Sequence, residues 1–85
     1  MKPYKEFKPK DNVMFRTFDE NISERELVWH RDKKDRIVTA LHQTDWKVQI
    51  DDKLPENIIE IFIPKDTYHR VIKGTKSLTV KIVEK

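Results

Sequence analysis

From Glu26 onward the chain repeats one pattern, a short run rich in Val, Ile, Trp and Tyr followed by a polar turn, about every ten residues. The runs are Glu26–His30, Ile37–Leu41, Trp46–Asp51, Ile58–Ile63, Tyr68–Lys73 and Leu78–Val83, and Asn12–Phe18 reads as a strand before them. Asp32–Asp35, His42–Asp45, Asp52–Asn57 around Pro55, Pro64–Thr67 and Gly74–Ser77 supply the turns. No run keeps a 3.6-residue period over three turns, so the spacing predicts an all-β sandwich or small barrel. Between Phe18 and Glu26 the polar stretch DENISER offers Asn21 or Ser23 as the cap of a single helical turn.

The two-residue period of a strand assigns faces. Trp46, Val48 and Ile50 share one, with Lys47, Gln49 and Asp51 opposite; Leu78, Val80 and Ile82 alternate with Thr79 and Lys81. Ile59, Ile61 and Ile63 alternate with Glu60 and Phe62, apolar on both sides but for the glutamate, which predicts a central strand. Gly74 is expected to provide a positive φ in a hairpin turn.

With 85 residues, one glycine and four prolines, there is room for a single domain and a small core. Residues 1–11 read as a basic, extended N-terminal arm, either packed on the domain edge or loosely ordered, and 12–85 as the domain. The absence of cysteine excludes a disulfide framework, a thiolate zinc site and a cysteine nucleophile. A formal charge of +3 is spread among interspersed acids, unlike the one-signed stripe of a nucleic-acid binder. No apolar stretch approaches the roughly 18 residues of a membrane span, and the N-terminus lacks the apolar core of a signal peptide. The expectation is a soluble cytoplasmic protein without a nucleic-acid or membrane partner. So small a core and its open strand edges predict a homodimer, to which the arm can contribute a strand.

Two segments carry chemistry. His30-Arg31-Asp32 adjoins one run and His69 opens another. A His-x-Asp and a distant His are the ligand inventory of a two-His-one-carboxylate metal site, provided the strand stays extended through Asp32. Alternatively, both histidines are strand residues hydrogen-bonded to carboxylates or backbone. A metal-free pocket is the rival: Arg36 can pair with Asp32 or Asp35, or clamp a ligand's carboxylate or phosphate. Trp46 and Tyr68 can wall such a pocket, and Gln49 and Asp51 face a ligand if theirs is the interior face. His42, in a turn, reads as exposed.

The run Ile61-Phe62-Ile63-Pro64-Lys65-Asp66-Thr67-Tyr68-His69 resembles the second motif of the cupin family, which ends Pro-x-Gly-x-x-His; Asp66 stands where glycine is usual. The first cupin motif has His-x-His, then Glu after three or four residues, then Gly after six more. His30-Arg31-Asp32 resembles its start, with Asp32 at the second histidine, Arg36 or Ile37 at the Glu position and Gln43 at the glycine. The stretch Val38–Asp51 is similar to the hairpin that links the motifs. The likeness covers most of the chain, and extends to small cupin-like proteins of unassigned function, some encoded by tailed bacteriophages. It implies a small cupin-like β-barrel or jelly roll of about six to eight short strands with a central pocket. It also implies Fe, Mn, Zn or Ni at His30 and His69, with Asp32 as a substituted ligand, and a host-cytoplasmic location if the protein is phage-encoded.

Two functions follow. One is a small binding protein whose pocket holds a divalent metal or a small molecule. The other is a metal-free structural or interaction module, such as a phage accessory protein or a small-molecule sponge. The ligand order also resembles that of iron- and 2-oxoglutarate-dependent oxygenases, but those need a longer chain and an arginine about ten residues after the final histidine. No reaction is legible in the sequence.

Overall fold

Alternation builds the larger of two sheets. In β2 (Val13–Phe18) Met14 and Phe18 turn inward, and in β8 (Leu78–Glu84) Leu78, Val80 and Ile82 do the same. The antiparallel register places Met14 opposite Ile82 and Phe18 opposite Leu78, so the apolar sets merge into one face. On it also lie Val38 of β3 (Arg36–Ala40) and Ile61 and Ile63 of β6 (Glu60–Ile63). With β1 (Lys5–Lys10) this gives a five-stranded sheet ordered β1-β2-β8-β3-β6. The smaller sheet is ordered β5-β4-β7, from β5 (Glu56–Asn57), β4 (Lys47–Ile50) and β7 (His69–Ile72). Its inner face presents Val48 and Val71, and Trp46, fully buried, fills the core between the sheets. The structure, a computed structural model, describes residues 2–85; Met1 of the expected arm lies outside the described residues.

The all-β reading agrees with this architecture, but the closed barrel or jelly roll does not form. The two sheets have separate strand sets, leaving β1 and β6 as edges of one and β5 and β7 as edges of the other. Closure requires strands that tilt and stagger around a common axis. The strands of the small sheet have four, two and four residues, about 13 Å at most, too short to carry a ladder around to the other sheet.

Three local expectations change for identifiable reasons. Glu26–His30 is not a strand: Ser23 accepts a hydrogen bond from the Arg25 N–H and starts a 3-10 turn over Glu24–Glu26, the capping role expected of it. Beyond that turn, only His30 pairs, through an isolated bridge to His69. Strand β6 is an edge, not a central strand. Between Asn57 and Glu60 the chain passes from the small sheet to the large one, turning Ile58 inward and leaving Ile59 75% and Phe62 53% exposed. Gly74 has no positive φ; the left-handed residues are Asp51 (φ 51°) and Asp66 (φ 59°).

The need for glycine at 74 is steric. The connection from β7 to β8 crosses between sheets, and it lies against Asp45 and Trp46. Thr75 donates its N–H (3.0 Å) and hydroxyl (2.8 Å) to the Asp45 carboxylate, holding that carboxyl below its usual range. The Trp46 indole N–H donates to the Lys76 carbonyl. A Cβ at Gly74 would overlap Asp45 Oδ1 and come within 2.6 Å of Trp46 Cδ1 and 2.8 Å of Trp46 N. Gly74→Ala is therefore expected to destabilise the domain by about 1–3 kcal/mol, as overpacking does. In thermal melts that lowers Tm by roughly 4 °C or more for a chain of this size; an unchanged Tm would show that the loop opens freely.

Candidate metal centre

The fold brings together the three residues that the sequence reading joined. His30 and His69 exchange both backbone hydrogen bonds, His30 N–H to the His69 carbonyl at 3.0 Å and the reverse at 2.9 Å. Residues paired in this way project their side chains to the same face, and the imidazole centroids stand 4.3 Å apart with rings tilted by 60°. The Asp66 N–H donates to the Asp32 carbonyl at 2.7 Å, which anchors the carboxylate beside them. Asp66 can serve there because it adopts the left-handed conformation that a glycine would otherwise supply. Donor atoms of His30, Asp32 and His69 all lie within 4.8 Å of one another.

Each imidazole is held by the same device. His30 Nδ1 lies 3.0 Å from the Val28 carbonyl and His69 Nδ1 lies 2.9 Å from that of Thr67. A carbonyl only accepts, so each Nδ1 carries a proton and donates, which leaves Nε2 as the nitrogen available to a ligand. Backbone hydrogen bonds of this kind orient histidine ligands and fix their tautomer in metal sites. His69 is buried, and burial is the main cause that lowers its pKa below 6.5; His30 and Arg36 add to this, while the Thr67 carbonyl and Asp32 oppose it.

Neutral His69 therefore turns a lone pair toward a carboxylate. Its Nε2 stands 3.3 Å from Asp32 Oδ2, a buried oxygen without a hydrogen-bond partner. Arg36 Nη1 approaches the same oxygen to 3.2 Å, but without hydrogen-bond geometry. Two acceptors that face each other in this way form a donor set for a cation. Two imidazole nitrogens and a hard oxygen suit Fe, Mn, Zn or Ni, so the residues present fit such an ion.

The centre lies on a cavity of about 270 Å³ between the sheets. Of the residues expected to bind a ligand, Arg36 lines it. The Arg36 side chain is 13% exposed, with Nε and Nη2 at 3.0 and 2.9 Å from Glu84 Oε2. Trp46 is in the core, away from the cavity wall. Gln49 is on the outer face of the small sheet, where it accepts from Arg70 Nε at 3.0 Å. Asp51 and Tyr68 border an open surface depression with Trp29 and Asp52. His42 is exposed as expected, and its Nε2 accepts the Thr79 N–H.

Glu84 and Arg16 line or support the cavity and were missed from sequence. A usable signal was present. Arg16 falls between Met14 and Phe18, Arg36 two before Val38, and Glu84 two after Ile82, all in the inward phase of their strands.

No family model matches the sequence, and no curated protein matches it. Solved structures do. An RmlC-like cupin family protein with a double-stranded β-helix fold from Methanocaldococcus jannaschii superposes with a TM-score of 0.73 at 10% identity, over 99% of this chain and 79% of that one. A cupin domain from Bordetella pertussis gives 0.64 at 15% identity, over 96% and 91%. KdgF from Halomonas sp. gives 0.62 at 12% identity, over 96% and 77%. The chain thus has the fold of the cupins, in an open form. Identities this low establish the fold and nothing of the chemistry.

The lowered His69 value fixes a pH dependence. The unfolded chain takes up this proton more readily than the folded one, so stability falls as the proton is bound. His69's contribution is complete above about pH 6.5 and is lost as pH falls through its lowered folded value. Melts of metal-free protein between about pH 8 and pH 5 should therefore show a steeper acid loss in wild type than in His69→Gln. Equal slopes would show that another group carries the acid sensitivity.

Proposed function

We propose that the protein is a small metal-binding protein that holds one divalent cation at His30, Asp32 and His69 and receives a small molecule in the adjoining cavity. The observation that carries this reading is the opposition of His69 Nε2 and Asp32 Oδ2, a buried oxygen that accepts no hydrogen bond from the described residues. Both imidazoles are pre-oriented by backbone carbonyls, so ligation demands little rearrangement of the rings. When bound, the ion supplies a Lewis acid with coordination positions left open by three protein ligands. The chain's own residues orient the donors, exclude water through the aliphatic cavity walls and hold Arg36 beside the centre. No reaction is assigned.

Elemental analysis of protein purified without chelator, and reloaded in turn with Fe, Mn, Zn and Ni, tests the reading. About one equivalent per chain is expected for wild type, and far less for His30→Ala and His69→Ala, with folding of both checked by circular dichroism. A loaded protein should melt higher, by the equivalent of about 2.7 kcal/mol at a free ion concentration of 100 Kd. Metal absent from wild type after reloading would leave the metal-free interaction module as the reading to pursue.

A second copy of this chain is the macromolecular partner that the outer face of the large sheet suits. Val13, Val83, Ile37 and Phe62 lie in one row across β2, β8, β3 and β6 by register. Phe7 and Phe15 stack beside them with centroids 6.3 Å apart, and Phe7 is largely exposed. Lys81 and Glu60 occupy the next row, so two copies about a two-fold axis can offset opposite charges around an apolar centre. Light scattering should give twice the chain mass for wild type and the single mass for Phe62→Glu; a monomeric wild type would remove the proposal.

A further inference from the structure

Arg36 has donors that its own partners leave open. A guanidinium offers five N–H groups in a planar fork. Nε and Nη2 converge on a single oxygen, Glu84 Oε2, while Nη1 meets Asp32 only in poor alignment. The cavity's other arginine differs. Arg16 pairs with Glu6 through Nε at 2.7 Å, its guanidinium 4.1 Å from the centroid of the Tyr4 ring, and not with the carboxylate of the metal centre. Arg36 is the guanidinium placed both beside the metal centre and on the cavity wall.

Charge points in the same direction. The carboxylates of Asp32 and Glu84 outweigh the Arg36 guanidinium they meet by one negative charge. A divalent cation turns that balance into one positive charge, in a corner where His69 is buried and Arg36 nearly so. A monoanion restores neutrality where uncompensated charge is costly.

Beyond this corner the walls are mostly apolar, built by Val48, Ile61, Val71, Leu78, Val80 and Ile82, with Arg16 and Glu26 as the other charged lining residues. A polyol or sugar would lose water from most of its hydroxyls there and find few partners. A hydrocarbon body would not. An engineered cavity of roughly 150 Å³ takes one benzene, so this one suits about ten to twelve non-hydrogen atoms.

Resting on the metal-centre reading above, we propose that the cavity takes a compact monocarboxylate with an apolar body, its carboxylate held by Arg36 beside the metal and its hydrocarbon along the aliphatic walls. Arg36 is then the residue that sets specificity, because its planar fork matches a carboxylate.

The test uses Zn-loaded protein, with Zn uptake measured first by calorimetry on metal-free protein. Hexanoate and benzoate are the probes; 1-hexanol and benzamide are neutral counterparts, and gluconate is a carboxylate with a polar body. Hexanoate or benzoate should raise Tm and give saturable heat, at least about tenfold tighter than the neutral compounds or gluconate. Arg36→Gln leaves Glu84 buried without its partner, so the double variant Arg36→Gln/Glu84→Gln accompanies it as the form that keeps the pair uncharged. The double variant should fold, take up Zn and lose the carboxylate preference.

The outcomes separate the two readings. Zn uptake with no carboxylate preference, or with gluconate equal to hexanoate, overturns the ligand proposal and leaves the metal centre standing. No Zn uptake but Arg36-dependent hexanoate binding overturns the metal centre and supports the carboxylate site. Neither response overturns both.

Discussion

The reciprocal backbone pair between His30 and His69 is the interaction on which the site depends. The segment that follows the 3-10 turn has no strand of its own, and this one bridge docks it against β7. Without it, His30 has no defined place relative to His69. With it, the side-chain directions follow from strand geometry, and each ring is then locked by the carbonyl two residues before it. Positions fixed by backbone hydrogen bonds vary less than positions fixed by long side chains, which is the pre-organisation that a ligand set requires. The left-handed turn at Asp66 belongs to the same arrangement, since it presents the N–H that pins Asp32.

Much of this was legible in the sequence, and the legible parts share a cause. Period-two alternation grouped Trp46 with Val48 and Ile50, and Leu78 with Val80 and Ile82, the sets that turn inward in and beside β4 and β8, because those strands are half-buried, the situation the pattern describes. Residue chemistry and spacing found His30, Asp32 and His69 together, because few arrangements other than a ligand set need that combination. What stayed hidden depended on where the chain changes sheet. The step at Ile58 and Ile59 inverts the apparent faces of the run, so an edge strand looked central. The same limit applies to closure, since sequence pattern gives strand number and spacing but not whether short edges meet.

The aromatic and polar candidates for the pocket show the other limit. Trp46 has the composition of a pocket wall but serves the core, because the Gly74 loop closes over it and its N–H finds the Lys76 carbonyl. Gln49 belongs to the outer face by strict alternation with Val48, and its partner Arg70 sits opposite it in the register. Glu84, conversely, became visible only once β8 was seen to pair with β3, which sets it across from Arg36. Cross-strand partners far apart in sequence are not encoded in any local pattern. Their phase within each strand is, and that phase was inward for Arg16, Arg36 and Glu84.

That inward phase is itself an argument about function. A chain of 85 residues has a thin core, in which each inward position matters to stability. Here several of those positions hold Arg16, Arg36, Glu84 and His69, where an aliphatic residue would bury apolar area at roughly 25 cal/mol per Å². Replacing buried ion pairs by apolar residues often leaves a fold as stable or more so. Stability alone therefore does not account for a polar corner in a cavity whose walls are mostly apolar. A divalent ion held as proposed, by the folded chain and not the unfolded one, would reverse the balance, because its binding energy adds to folding by mass action. Under the proposed ligation, His30, Asp32 and His69 would tie the His30 segment to β7, and site occupancy and fold stability would be two readings of one equilibrium.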